Sequence, residues 1–77
     1  MSRLNIVVHL KDGVRDPAGE AVERVLRQMG FDVRELRIGR HITLEVSGGD
    51  PETVGRHMAE RLLANPVLET FRVEVGS

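Results

Sequence analysis

The sequence contains no cysteine, tryptophan or tyrosine, and its only aromatic residues are two phenylalanines. Domains as small as these 77 residues often gain stability from disulfides or from a metal site with thiolate ligands. Because it has no cysteine, this chain forms neither. Oligomerisation is the supplement that remains. A core of this size covers only about 60–65% of the unfolded surface, so we expect one domain over residues 1–77.

Neither sign of charge is in excess, because 11 Lys and Arg residues stand against 12 Asp and Glu residues and the formal net charge is -1. No positive field is available to hold a polyanion by counterion release. RNA-recognition domains also stack bases on aromatic side chains, and Phe31 and Phe71 are too few for such a platform. We therefore expect no nucleic-acid partner.

Long apolar runs are also missing, since none approaches the roughly 20 residues that cross a bilayer. The first residues lead directly into an alternating strand pattern, without the charged, apolar and small-residue regions of a secretory signal. These features favour a soluble, cytoplasmic protein with no membrane partner.

The first half of the chain has the pattern of a strand followed by a helix. Residues 3–11 alternate, with Leu4, Ile6, Val8 and Leu10 on the apolar side. Asp16 and Pro17 suit a helix start, because the carboxylate caps free N–H groups and proline has its φ preset. The helix is predicted to end at Gly30. Its apolar residues recur at helical spacing: Ala18, Ala21, Val22, Val25, Leu26 and Met29.

The second half predicts a hairpin, a second helix and a last strand. Strands are expected from about residue 33 to 38 and over residues 41–47, joined by a type II′ turn with Gly39 at its first central position. Asp50 and Pro51 repeat the capping pair and start a helix to about residue 64, which Asn65 and Pro66 stop. The apolar stripe of this helix is Val54, Gly55, Met58, Ala59, Leu62 and Leu63. The last strand alternates with Phe71, Val73 and Val75.

This order of elements predicts an α+β fold of the ferredoxin-like βαββαβ type. Two helices are expected on one face of a four-stranded antiparallel sheet, because only one face of each strand is apolar. The expected strand order is 4-1-3-2. The second strand would then be an edge that a second copy of the chain could pair with.

The polar residues offer no site for catalysis, a cofactor or a metal. The glycine-flanked loop before the first helix is a poor phosphate site, because Asp16 would repel the anion, and it carries no G-x-G-x-x-G motif. His9 and His41 are expected to approach each other on the open sheet face, but zinc usually takes at least three protein ligands. We expect this pair to be hydrated or to contact another subunit.

Three stretches, taken in order, resemble the PurS family, the small subunits of bacterial and archaeal phosphoribosylformylglycinamidine synthase. They are LKDGVRDPAG at residues 10–19, MGF at residues 29–31, and LRIGRHI at residues 36–42 after Val33. The resemblance covers nearly the whole chain. Ala18 stands where the family often has Gln, and Arg40 stands where it usually has Lys.

The resemblance implies a role in de novo purine synthesis, within an ATP- and glutamine-dependent carbon–nitrogen ligase. A PurS-like subunit is expected to be non-catalytic, to form a homodimer or homotetramer, and to join the large synthetase subunit and the glutaminase subunit so that ammonia reaches its site. The complex as a whole uses ATP and magnesium, and this chain is expected to bind neither. The candidate subunit-interface residues are Asp16, Pro17, Gly19, Arg37, Gly39 and Arg40.

Two other functions are compatible with the architecture. One is a free-standing ligand-sensing module that resembles ACT domains and binds amino acids at subunit interfaces. The other is a small acylphosphatase-like hydrolase, which is disfavoured because the loop before the first helix lacks an anion-binding arrangement. A capped helix and a hairpin turn would also account for the six candidate interface residues without any partner.

Overall fold

A three-stranded antiparallel sheet is the centre of the computed structural model, which describes residues 1–76. The strands lie in the order β2-β1-β3 and are β1 (Ser2–Leu10), β2 (Arg40–Val46) and β3 (Glu69–Gly76). The helical elements are α1 (Pro17–Gln28), α2 (Pro51–Met58) and a π-helical turn (Ala59–Leu63) that continues α2. The α+β class is confirmed, as are both helix starts and three of the four expected strands.

The central strand carries the core. Leu4, Ile6 and Val8 are 0% exposed, as the alternation of β1 predicts. Ile6 lies between Ile42 of β2 and Val73 of β3, and Leu4 lies between Leu44 and Val75. Val8 has Phe71 of β3 on one side and Arg40 of β2 on the other. Burying such side chains contributes about 1.5–3 kcal/mol each, so this row is the main source of stability in so small a domain.

Helix α2 lies against β1 and β3 because its contact residues are small. A Cβ at Gly55 would stand 2.9 Å from Cδ1 of Leu4 and 3.0 Å from Cγ1 of Val73. Ala59 is 0% exposed one turn later. The apolar stripe expected for this helix is only partly buried, because Leu62 is 84% exposed at the end of the π-helical turn. The helix therefore packs on its glycine and alanine side.

Both predicted capping residues are confirmed. The Asp16 carboxylate accepts a hydrogen bond from the Gly19 N–H, and the Asp50 carboxylate accepts one from the Thr53 N–H. The end of α1 is confirmed as well, since Gly30 has a φ of 98° and its N–H donates to the Arg27 carbonyl at 3.0 Å. This is the left-handed glycine of a Schellman motif.

The expected second strand is wrong. Residues 33–38 pair with no strand, so the sheet has three strands and the fourth place in the order 4-1-3-2 is not filled. Glu35 has a φ of 53°, which interrupts the extended backbone. Two N–H groups that follow it bond to α1 and its N-cap residue instead: Leu36 donates to Glu23 Oε1 at 2.8 Å, and Ile38 donates to Asp16 Oδ2 at 2.8 Å.

The predicted hairpin turn at Gly39 is also wrong. Gly39 does not have the positive φ that the first central position of a type II′ turn requires. It leads straight into β2, with its backbone against β1. A Cβ at this position would stand 2.6 Å from the Val8 carbonyl oxygen. Close approach, rather than turn geometry, is what requires glycine here.

The expectation that both helices cover one sheet face is also wrong. Only α2 packs on the strands, whereas α1 and residues 29–39 project together from the end of the sheet and are called the arm below. The molecule measures 49 × 27 × 13 Å and its radius of gyration is 15.4 Å. A globular chain of this length has a radius of gyration of about 11–12 Å. The arm therefore leaves the fold elongated.

Candidate subunit interface

Asp16 joins the two chain segments of the arm at its base. Its Oδ1 accepts from the Gly19 N–H at 3.0 Å and its Oδ2 accepts from the Ile38 N–H at 2.8 Å, while its side chain is buried. The Ile38 N–H, followed by the Gly19 N–H, lowers the pKa of this carboxyl from its ordinary value. Asp16 thus caps α1 and holds the returning segment with the same carboxylate.

Gly19 permits this close packing. A Cβ at Gly19 would stand 2.7 Å from the Leu36 carbonyl oxygen and would also collide with the Asp16 carboxylate. Further along the arm, Arg27 Nε donates to the Val33 carbonyl at 2.9 Å. Helix α1 and the segment beside it are therefore joined along most of their length.

The other candidate residues lie on the outside of the same region. Pro17, Arg37, Gly39 and Arg40 are exposed. Arg37 Nη2 donates to the Lys11 carbonyl at 3.2 Å. Asp16, Gly39 and Arg40 border one shallow depression at the base of the arm. The structure thus gathers the six candidates at this base, where two are buried and four face outward.

Arg40 connects three elements. Its guanidinium donates to both oxygens of Glu69, at 2.8 Å and 3.0 Å, and to the Leu63 carbonyl at 2.9 Å. The Arg40 guanidinium, with the Asn65 N–H, lowers the pKa of the Glu69 carboxyl. The start of β2, the end of the π-helical turn and the start of β3 meet at this ion pair.

The two sheet histidines have different partners. His41 lies across from Val7, and its Nε2 is 3.0 Å from Asn5 Oδ1. His9 Nδ1 is 3.1 Å from the Leu10 carbonyl oxygen. Within residues 1–76, no group of three or more His, Cys, Asp or Glu side chains is arranged to hold a metal ion. No helix in the same range is long and apolar enough to cross a membrane.

The largest feature that the sequence did not predict is the apolar surface of the arm. The exposed large hydrophobic residues of the arm are Val22 (42%), Val25 (52%), Met29 (66%), Phe31 (57%) and Ile38 (44%). The signal was present, because the helical spacing of the α1 residues is clear. That spacing predicts an apolar face on α1, but the expected fold places this face against the chain's own sheet, where it does not lie.

A small antiparallel α+β domain with an exposed apolar arm belongs to the class of proteins that work through contact with other chains. The comparisons with known proteins make the assignment specific. The PurS family model, described as phosphoribosylformylglycinamidine (FGAM) synthase, matches residues 3–77. The chain belongs to this family.

Relatives from Bacillus subtilis and Thermotoga maritima match it over nearly the whole length of both chains. The chain is 40% identical to the phosphoribosylformylglycinamidine synthase subunit PurS of Bacillus subtilis over 78 aligned positions, which cover 97% of this chain and 93% of that protein. The solved structure of B. subtilis PurS in its C2 crystal form superposes with a TM-score of 0.91 at 36% identity and covers 100% of both chains. A chain in the structure of PurLQS from Thermotoga maritima superposes with a TM-score of 0.87 at 39% identity, and the match covers 97% of this chain and 96% of that one.

Proposed function

We propose that this chain is the non-catalytic small subunit of phosphoribosylformylglycinamidine synthase in de novo purine synthesis. It joins the ATP-dependent synthetase subunit to the glutaminase subunit and supports the transfer of ammonia between them. The observation that carries the proposal is the full-length match to a chain of the T. maritima PurLQS structure. Its arm gives this chain a large exposed surface for such contacts.

The proposal leaves the chemistry of the reaction to the partner subunits. ATP and magnesium are used by the complex, and this chain contributes no ligand to either. The cytoplasm is the corresponding location, because the synthetase consumes ATP there. In this role the chain acts as one domain, as a homodimer or homotetramer within the larger assembly.

The six candidate residues serve the assembly in two ways. Pro17, Arg37, Gly39 and Arg40 are exposed and available to a partner. Asp16 and Gly19 are buried, so they act by positioning the arm. This division follows from burial, since a side chain with almost no accessible surface touches no second protein.

Reconstitution tests the proposal. The purified chain is mixed with the synthetase and glutaminase subunits of its own source, and the mixture is separated by size-exclusion chromatography. We expect one co-eluting complex and glutamine-dependent FGAM formation that requires this chain. The control supplies ammonium salt in place of glutamine, which bypasses the transfer step. Full glutamine-dependent activity without the chain contradicts the proposal.

The alternative function, a ligand-sensing module, is tested by the melting temperature of the chain with and without candidate ligands. An amino-acid sensor is stabilised by its ligand, because a molecule that binds only the folded state raises the melting temperature. A thermal-shift series with the twenty amino acids and with nucleotides, run on the chain alone, measures this. No shift, together with reconstituted activity, rejects the sensor.

A further inference from the structure

Helix α2 and the π-helical turn carry an apolar groove of about 340 Å³. Val54, Met58 and Leu62 line it in one row, because they follow one another at four-residue spacing. Leu63 completes the apolar lining. Leu62 is 84% exposed at the end of this row. Single exposed hydrophobic residues are normal on a protein surface, whereas a row of them along a groove marks a contact site.

The groove exists because α2 packs on the sheet through its smallest residues. Gly55 lies against Leu4 and Val73, and Ala59 belongs to the buried core. The larger side chains of the helix therefore stand beside this contact. The Ala64 N–H donates to the Ala59 carbonyl at 2.9 Å, five residues back, which closes the π-helical turn that carries Leu62. Such turns are rare and lie frequently at functional sites.

The polar lining of the groove comes from His57 and Arg61, which lie one helical turn apart. Within residues 1–76 neither side chain takes part in an ion pair. Arg56, next to His57 in sequence, lies outside the groove and pairs with Glu52 at 3.3 Å. The groove therefore combines an apolar row with a guanidinium group that has no acidic neighbour.

We propose that this groove docks a segment of another subunit of the synthase, one that presents an apolar side chain between carboxylates. The apolar side chain enters beside Met58 and Leu62, and the carboxylates pair with Arg61 and His57. The inference rests on the proposed function and deepens it, because it names the surface by which the chain attaches and the chemistry that this surface recognises.

The charges of the groove disfavour a second copy of this chain as its occupant. In a two-fold contact the same patch meets itself, so Arg61 and His57 of one copy would approach those of the other. Like charges that meet across an interface repel each other. A partner with carboxylates at this position neutralises the basic groups instead and is attracted to them during its approach.

The first test measures how much of the chain the synthase needs. The chain is titrated into a fixed mixture of the synthetase and glutaminase subunits, and glutamine-dependent FGAM formation is followed. We expect Leu62→Asp to raise the half-maximal concentration by about tenfold or more, because it removes the apolar contact and repels the carboxylates. Val67→Asp is the matched control, since Val67 is 75% exposed and does not line the groove. A Leu62→Asp curve that coincides with the parent curve, or an equal shift by Val67→Asp, overturns the proposal.

The second test isolates the charge. We expect Arg61→Glu to raise the half-maximal concentration at low salt, and we expect this difference from the parent chain to shrink as salt is added, because salt screens the attraction. Arg56→Glu is the control on the same helix, outside the groove. Circular dichroism and light scattering check that both variants keep the fold and the oligomeric state of the parent chain. Equal shifts by the two variants overturn the proposal.

The third test identifies the occupant. The chain has no cysteine of its own, so Leu62→Cys carries a single thiol, which is labelled with a benzophenone maleimide and irradiated in the reconstituted mixture. We expect a crosslinked peptide from the synthetase or the glutaminase subunit with Asp or Glu on both sides of an apolar residue. A crosslink confined to a second copy of this chain, or to a peptide without carboxylates, overturns the proposal.

Failure of the groove differs from failure of the proposed function. A parent chain that restores glutamine-dependent activity, with Leu62→Asp equally effective, keeps its place in the synthase and loses the docking groove. A parent chain that restores no activity at any concentration loses the assigned function, and the groove loses its partner with it.

Discussion

Arg40 and Glu69 meet in a bidentate ion pair, with two N–O distances of 2.8 Å and 3.0 Å. Glu69 also accepts a hydrogen bond from the Asn65 N–H at 2.7 Å, and Arg40 also donates to the Leu63 carbonyl at 2.9 Å. The pair thus fixes the chain where the π-helical turn passes into β3. Paired forks with additional backbone bonds stabilise more than a single exposed contact does.

Replacement of this arginine is expected to destabilise the fold. Arg40→Ala removes three donated hydrogen bonds, so we expect the melting temperature to fall by about 5 °C. Arg72→Ala is the matched control, because Arg72 pairs with Glu74 on the exposed sheet face and such pairs contribute little. Differential scanning calorimetry measures both. Equal decreases in melting temperature for the two variants would show that the Arg40–Glu69 pair stabilises the fold no more than an exposed ion pair does.

Acid is expected to weaken the same junction. The pKa of Glu69 in the folded chain lies below its ordinary value of 4.5, mainly because of Arg40. As the pH falls, the Glu69 carboxylate therefore takes up a proton in the unfolded chain before it does so in the folded chain. Its contribution to the free energy of unfolding is complete above about pH 4.5 and is lost as the pH drops through the pKa of the folded chain.

The measurement for this effect is the melting temperature from about pH 7 down to about pH 3. We expect Glu69→Gln to lower the melting temperature at neutral pH and to lower it less in acid. The curves of melting temperature against pH for the parent chain and for the variant therefore converge at low pH. The Glu74→Gln variant serves as a control from the exposed pair. Parallel curves for the parent chain and Glu69→Gln would rule out this linkage.

Local rules were sufficient for most elements of the fold. The alternation of β1 predicts an apolar side of four residues, of which Leu4, Ile6 and Val8 are fully buried and Leu10, at the end of the strand, is half-buried. The two Asp-Pro pairs placed both helix starts at the observed residues. These features depend on a few neighbouring residues, and so the sequence alone reports them.

The errors concern relations between distant segments. The run around Leu36 and Ile38 is apolar enough for a strand, yet its N–H groups are taken by Glu23 and Asp16 of another segment. The left-handed backbone at Glu35 has no local signal either. Helical spacing located the apolar face of α1 but does not say whether that face meets its own sheet or another chain.

The two capping aspartates are expected to respond differently to the same change. Asp16 uses one oxygen for the Gly19 N–H and the other for the Ile38 N–H, whereas Asp50 uses only Oδ2, for Thr53. Asparagine has a single acceptor oxygen, so Asp16→Asn leaves one N–H without its acceptor and Asp50→Asn does not.

Hydrogen exchange measured by NMR distinguishes the two variants. We expect the Ile38 amide to exchange several-fold faster in Asp16→Asn and to be unchanged in Asp50→Asn. Thermal melting gives a second comparison, in which Asp16→Asn is the less stable variant. An unchanged Ile38 amide in Asp16→Asn would show that the arm is held by other contacts.

Gly55 is expected to resist a substitution that normally strengthens a helix. Alanine is favoured over glycine in a helix interior by about 1 kcal/mol. At Gly55 the added methyl group stands 2.9 Å from Leu4 and 3.0 Å from Val73, and overpacking of a tight core costs about 1–3 kcal/mol. We therefore expect Gly55→Ala to lower the free energy of unfolding by about 1 kcal/mol in urea titrations. The control introduces Gly55→Ala into a chain that already carries Leu4→Ala, where the shorter side chain leaves space for the added methyl group. There we expect Gly55→Ala to lower the free energy of unfolding much less. An increase in the free energy of unfolding on Gly55→Ala alone would mean that α2 moves away from the sheet at little cost.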